Sequence, residues 1–150
     1  MNMMQAVQTV FSKYATFSGR ARRAEFWWFV LFYMIVNLVL SIVDSFLFGT
    51  TTTTENGFSA STDTPILSGI FALGSLIPNL AVGVRRLHDI NRRGWWLLIA
   101  LIPLVGIIIL IVWLAKAGDK GPNQYGGDPI SGEGEGPAEP SYSETSIPKV

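Results

Sequence analysis

Cysteine is absent from the 150 residues, and histidine occurs once. The first absence excludes disulfide staples, thiolate metal sites and a cysteine nucleophile. The two together leave no usual zinc set, so no metal site and no cofactor are expected. Charge is scarce as well, at 15% of residues against roughly 25% in soluble proteins. That scarcity is local. Residues 26–43, 64–84 and 94–115 contain no Asp, Glu, Lys, Arg or His. Apolar runs of about 18 or more residues match the roughly 30 Å hydrocarbon core of a bilayer. A soluble globular domain is therefore excluded as the leading interpretation.

The runs point to an all-α integral membrane protein with about three transmembrane helices, near 26–46, 65–84 and 95–115. The first is too long and too aromatic for a signal-peptide core, and no small-x-small cleavage site follows it. It reads as a retained helix. Ahead of it, Met3, Val7, Val10, Tyr14 and Phe17 recur at spacings of four and three. That predicts an amphipathic helix over 3–18, either lying in the membrane interface or packing on the transmembrane helices.

The third run carries fourteen Ile, Leu or Val residues between Trp95 and Ala115. Trp95 and Trp96 stand seventeen or eighteen residues from Trp113, about 27 Å at helical rise, as an aromatic belt at each interface requires. Pro103 and Gly106 fall in the middle. They permit a kinked span or a re-entrant hairpin, and the kinked span is preferred because backbone turning at membrane depth must be buried in protein.

The second run holds a stripe of Ser68, Ala72, Ser75, Asn79 and Gly83 at spacings of four, three, four and four. Small residues let membrane helices approach closely, and Asn can bond across the contact. Asn37, Ser41 and Asp44 give the first helix a matching line. The stripe is read as helix packing, with a polar path for a solute as the alternative.

Basic residues set the orientation. Lys13, Arg20, Arg22, Arg23, Arg85, Arg86, Arg92 and Arg93 are eight of the eleven, and the loop over 44–63 has none. The positive-inside rule then places the N-terminus and the second loop in the cytoplasm and the first loop outside. Three spans put the C-terminus outside too, which Lys116 and Lys120 oppose. Thr50 to Thr54, followed by Glu55-Asn56-Gly57, reads as an exposed loop. A Gly/Pro turn segment covers 118–129, with an order too particular for a linker but no assignable chemistry. Over 130–150, fifteen of 21 residues are Glu, Gly, Pro, Ser or Thr, a composition expected to stay disordered.

Two arginine clusters each precede a tryptophan pair. Arg20, Arg22 and Arg23 lead to Trp27 and Trp28, and Arg85, Arg86, Arg92 and Arg93 lead to Trp95 and Trp96. At a cytoplasmic interface these suit anionic lipid headgroups, at about 1 kcal/mol per basic residue. They serve equally as topology signals and snorkelling anchors. Glu25 and Asp89 sit among the arginines, where bidentate pairs are available. Cross-pairing is expected between the clusters: Glu25 with Arg85 or Arg86, and Asp89 with Arg20, Arg22 or Arg23. His88 beside Asp89 has no nucleophile marked nearby, so no catalytic residue is assigned. The basic stretches are too short and too close to the membrane to argue for nucleic acid.

Three ordered motifs carry a resemblance. Phe17-Ser18-Gly19-Arg20-Ala21-Arg22-Arg23-Ala24-Glu25-Phe26-Trp27 comes first. Val82-Gly83-Val84-Arg85-Arg86-Leu87-His88-Asp89 with Gly94-Trp95-Trp96 follows, and Asn123, Tyr125-Gly126 and Asp128-Pro129 close the set. Together, over about 10–129, the chain resembles the YhaH-like family of small bacterial inner-membrane proteins, known as domain of unknown function 805. The resemblance implies a multi-pass protein of the bacterial inner membrane with no established activity. The function expected is non-enzymatic: an arginine-rich cytoplasmic face contacting anionic lipid or a protein partner. A small transporter or channel subunit built by homo-oligomerisation is the alternative, and a membrane-embedded enzyme is third.

Overall fold

A computed structural model describes residues 1–61 and 65–130; the tail expected to be disordered lies beyond the described residues, except for Ile130. The chain divides into two units. One comprises Met1–Phe17 with Ala24–Gly83, and the other Ser18–Arg23 with the described part of Val84–Val150. Its elements are helix α1 (Met3–Ser12), helix α2 (Arg23–Phe48), strands β1 (Thr50–Thr54) and β2 (Gly57–Ser61) and helix α3 (Ile66–Asp89). A 3-10 helix (Gly94–Leu101) and helix α4 (Val105–Ala115) follow.

In the first unit, α2 and α3 are long and apolar enough to cross a membrane. Many of their apolar side chains point outward: Leu38, Phe46 and Leu73 are 62%, 86% and 74% exposed. A water-soluble helix would bury such residues. Asp44, near the end of α2, turns inward instead. Its carboxylate accepts from the Leu67 and Ser68 amides, each at 2.9 Å, and from the Ser68 hydroxyl at 2.8 Å. Those amides are among the unsatisfied donors of the first turn of α3, so Asp44 caps that helix from its neighbour, at the positive end of its dipole. Tyr33 stacks on Phe71 between the same two helices, with ring centroids 5.5 Å apart.

Pro78 lies inside α3. Proline has no N–H, so the Gly74 carbonyl four residues earlier loses its helical donor. The Tyr14 hydroxyl donates to that carbonyl. Helix α1 is shorter than its apolar stripe: it is capped by an Asn2–Gln5 capping box and ends at Ser12, so Tyr14 and Phe17 lie beyond it. Ala6 and Val10 are its buried residues, and Phe11 meets Phe29 of α2 edge-on at 5.7 Å. Helix α1 thus packs on α2 through this face. The threonine run is also corrected from a loop to a strand. β1 and β2 pair antiparallel with Thr54 opposite Gly57, since β-branched threonines favour extended backbone and Asn56-Gly57 favours the turn. Apart from this hairpin the described fold is helical.

In the second unit, α3 stops where Asn91 adopts a left-handed φ of 58°. Arg92 N–H then bonds to Leu87 O at 2.9 Å and Asn91 N–H to His88 O at 3.0 Å, a Schellman ending with asparagine in the position usually held by glycine.

Residues 95–115 do not form one helix. The 3-10 helix ends at Leu101, and Leu104 takes φ 68° and ψ −68° before α4 begins. Val105 N–H bonds to Pro103 O at 2.8 Å, closing a tight γ-turn. The two arms then fold against each other. A Cβ on Gly106 would collide with Ile99 O, so the arms meet where a side chain is missing. Trp96 and Trp113, expected about 27 Å apart at helical rise, have ring centroids 5.5 Å apart. The expectation of a single kinked helix is corrected: Pro103 and Leu104 reverse the chain.

Candidate functional site

The second unit is organised around one carboxylate. Asp89 ends α3 and is 2% exposed. Arg20 Nε donates to its Oδ1 at 3.0 Å, with Nη2 at 2.9 Å from the same oxygen. Arg86 Nη1 donates to Oδ2 at 2.6 Å. Two guanidinium groups thus share one buried carboxylate, and their remaining donors go to backbone. Arg20 reaches Gly121 O at 2.6 Å and Asp119 O at 2.5 Å. Arg86 reaches Leu114 O at 2.9 Å and also Lys116 O. Leu114 is in the last turn of α4, so Arg86 caps carbonyls that the helix itself cannot satisfy. Arg23 Nη1 lies 3.4 Å from Ala115 O, the neighbouring carbonyl.

The chain after α4 is shaped to fit this knot. Asp119 N–H bonds to Asp89 O at 2.7 Å. A Cβ on Gly118 would strike the Asp89 carboxylate, so only glycine allows the chain to pass there. Asn123 Nδ2 donates to His88 O at 2.9 Å, and Asp128 Oδ2 accepts from Gly121 N–H at 2.9 Å. The segment 118–129, which had no role from sequence, supplies the acceptors for Arg20.

His88 is a structural part of the same knot. Its Nδ1 lies 2.9 Å from Gly19 O. A carbonyl only accepts, so Nδ1 carries the proton. The ring stacks on Tyr125, with centroids 4.0 Å apart and planes 1° from parallel. Groups of three or more His, Asp or Glu arranged to hold a metal are absent among the described residues.

Burial separates the arginines. Arg20, Arg85 and Arg86 are 5%, 0% and 0% exposed. They cannot face headgroups, and the expectation of lipid contact is withdrawn for these three. Arg23 and Arg93 are exposed, and Arg22 and Arg92 are half-buried. Arg92 lies over the Trp113 ring, 4.0 Å from its centroid. Trp95 and Trp96 are exposed, as are Trp27 and Trp28 in the first unit. Asp89 is joined to Arg20, with Arg86 as a second partner. Glu25 is buried in the first turn of α2, where the helix dipole favours a carboxylate.

Among the helix-packing residues, Ser68, Ser75 and Gly83 are buried, and Ala72, Asn79, Asn37 and Ser41 are half-buried. Asn79 does not reach across a helix contact through its amide nitrogen. It donates to Ser75 O of its own helix at 2.8 Å.

The family described as "Protein of unknown function (DUF805)" matches residues 14–127. The chain belongs to this family. Inner membrane protein YhaI of Escherichia coli K12 is 36% identical over 129 residues, covering 86% of this chain and 98% of YhaI. Inner membrane protein YhaH of the same organism is 39% identical over 120 residues, covering 80% of this chain and 92% of YhaH. No solved structure matches. The family match encloses Arg20, Arg86, Asp89 and the acceptors at 119 and 121. Gly118, Asp119 and Gly121 were not marked individually in the sequence, where their only signal was the dense Gly/Pro/Asn/Asp order; Asn123 and Tyr125 stood out as motif residues but without a role.

Proposed function

We propose that this DUF805 protein is a multi-pass protein of the bacterial inner membrane with its N-terminus in the cytoplasm, and that it acts without catalysis by holding anionic lipid headgroups. The observation that carries this is the split among the arginines. Arg20 and Arg86 are committed to the carboxylate and carbonyls inside the knot. Arg23 and Arg93 remain exposed, with Arg92 half-buried and Trp95 and Trp96 exposed beside them in sequence. Exposed guanidinium next to exposed indole suits a bilayer interface, where the ring sits at headgroup level and the cation meets phosphate. The relatives named as inner membrane proteins support the location, and the basic-poor loop over 44–63 supports the orientation.

The test is native mass spectrometry of the protein released from nanodiscs of equal phosphatidylglycerol and phosphatidylcholine. Retained lipid enriched several-fold in phosphatidylglycerol, and no longer enriched in the Arg23→Gln/Arg93→Gln variant, is the expected result. Unenriched lipid refutes the headgroup assignment. Retention of a co-purifying protein lost in the same variant would replace lipid with a protein partner.

A further inference from the structure

We infer that residues 94–115 form a hairpin wedge whose apolar surface is occupied by acyl chains of the cytoplasmic leaflet alone, so that the chain enters and leaves the membrane on one side. The inference takes the cytoplasmic side from the orientation proposed above, but the hairpin itself rests on separate observations.

Length comes first. Eight residues of 3-10 helix span about 16 Å, and the eleven of α4 about 17 Å. Each is about half of the roughly 30 Å hydrocarbon core, which is one leaflet.

The anchoring is equally one-sided. Arg92, just before the first arm, lies over Trp113 near the end of the second. Arg86 holds Leu114 O, and Asp119 N–H holds Asp89 O. Both ends of the hairpin are thereby fixed at the C-terminal end of α3. A through-going helix would separate those ends by the full membrane.

The surface chemistry fits lipid. Leu101, Leu104, Val105, Ile108 and Val112 are exposed, and no charged residue lies in 94–115. Backbone turning at membrane depth needs its polar groups satisfied. At the tip Ile102 N–H bonds to Ile99 O at 3.0 Å, Val105 N–H to Pro103 O at 2.8 Å, and Pro103 has no donor. Charge placement agrees too. Arg92 and Arg93 before the hairpin and Lys116 and Lys120 after it then share one side. A crossing helix would leave the two lysines outside, against the positive-inside rule.

The absence of native cysteine makes the test direct. Single variants Gln8→Cys, Asn56→Cys, Leu104→Cys and Lys120→Cys of the full chain are treated in cells with a membrane-impermeant maleimide, before and after permeabilisation. Gln8→Cys and Lys120→Cys are expected to react in one compartment and Asn56→Cys in the other. A nitroxide at Leu104→Cys in phosphatidylglycerol/phosphatidylcholine vesicles is expected to collide with oxygen and be shielded from a water-soluble nickel complex. Reaction of Lys120→Cys alongside Asn56→Cys overturns the inference, because the segment then crosses. Nickel access to the tip overturns it as well. Spin–spin broadening at the tip without oxygen collision would put a second copy of the chain there instead of lipid. Should Leu104→Cys fail to accumulate, Ile102→Cys serves as the tip probe. If Gln8→Cys reacts from outside, the orientation fails, yet a shared side for Gln8 and Lys120 keeps the hairpin. Loss of phosphatidylglycerol enrichment bears only on the headgroup proposal.

Discussion

The Tyr14 hydroxyl completes a helix that Pro78 leaves open, and this pairing predicts a specific non-additivity. Pro78 removes the donor for Gly74 O, and Tyr14 supplies another. Tyr14→Phe keeps the ring and deletes only the hydroxyl. An acceptor left without a partner away from water costs about 1–3 kcal/mol, while hydrogen bonds between membrane helices average about 0.6 and reach about 1.7 kcal/mol. The Gly74 carbonyl lies mid-way along α3, so Tyr14→Phe is expected to cost about 1 kcal/mol, within both ranges. In a Pro78→Ala background the new amide can bond Gly74 O, and the same Tyr14→Phe change should cost a few tenths of a kcal/mol. The double-mutant cycle should therefore return a coupling of about 1 kcal/mol. The assay is reversible denaturation in mixed micelles by increasing dodecyl sulfate, followed by tryptophan fluorescence. Equal costs in the two backgrounds would refute the reasoning, because the hydroxyl would then not be replacing the missing amide.

Four further outcomes are expected. Asp89→Asn leaves two buried guanidinium groups without a counter-charge and should destabilise by about 3–5 kcal/mol, seen as loss of the folded fraction in detergent size-exclusion chromatography. Arg86→Lys keeps the charge but has no planar fork to reach Asp89, Leu114 and Lys116 together; about 1–3 kcal/mol should be lost by the micelle assay, and a lysine variant as stable as arginine would refute the carbonyl role. Asp44→Ala strips the cap from α3 and should cost about 1–2 kcal/mol, with faster amide exchange at Leu67 and Ser68 as its local signature. Gly106→Ala should be destabilising, because a methyl group there meets Ile99 O; in an uninterrupted helix the same change would gain up to about 1 kcal/mol, so the sign of the change in micelle stability decides between the geometries.

What could be read in advance depended on whether a residue's partner is a pattern or a place. The charge-free runs at 26–43 and 64–84 are patterns, and α2 and α3 lie where they predict. The third run is as apolar as a span, but its path depends on one dihedral at Leu104. A leucine at positive φ runs against local preference, so composition alone favoured a continuous helix. Nothing in the spacing reports that Gly106 faces Ile99 O. The strand at Thr50–Thr54 was hidden differently: β-branched residues and Asn56-Gly57 were both visible, yet a two-stranded ribbon is marginal by itself and reads equally as loop. Asp89 could be matched to the first arginine cluster because opposite charges limit the choices. The partners that use most of the guanidinium donors could not, since Asp119 O, Gly121 O, Leu114 O and Lys116 O are backbone and every residue has one.

Backbone acceptors are the reason this unit uses arginine where topology alone would accept lysine. Helix α4 ends with carbonyls that have no intrahelical donor, and the turn at 118–121 adds more. Removed from water, such acceptors need donors, and a lysine ammonium offers a single point from which to reach them. A guanidinium offers five donors in a plane. Arg86 uses one edge for Asp89 and other donors for the end of α4, while Arg20 divides itself between Asp89 and the 118–121 turn. The single carboxylate leaves the trio one positive charge in excess. Ordered carbonyl dipoles and the negative end of α3 lie where that excess sits. The formal neutrality of the whole chain has no counterpart in this trio, which is cationic by count; backbone dipoles and the nearby Asp128 carboxylate offset its excess.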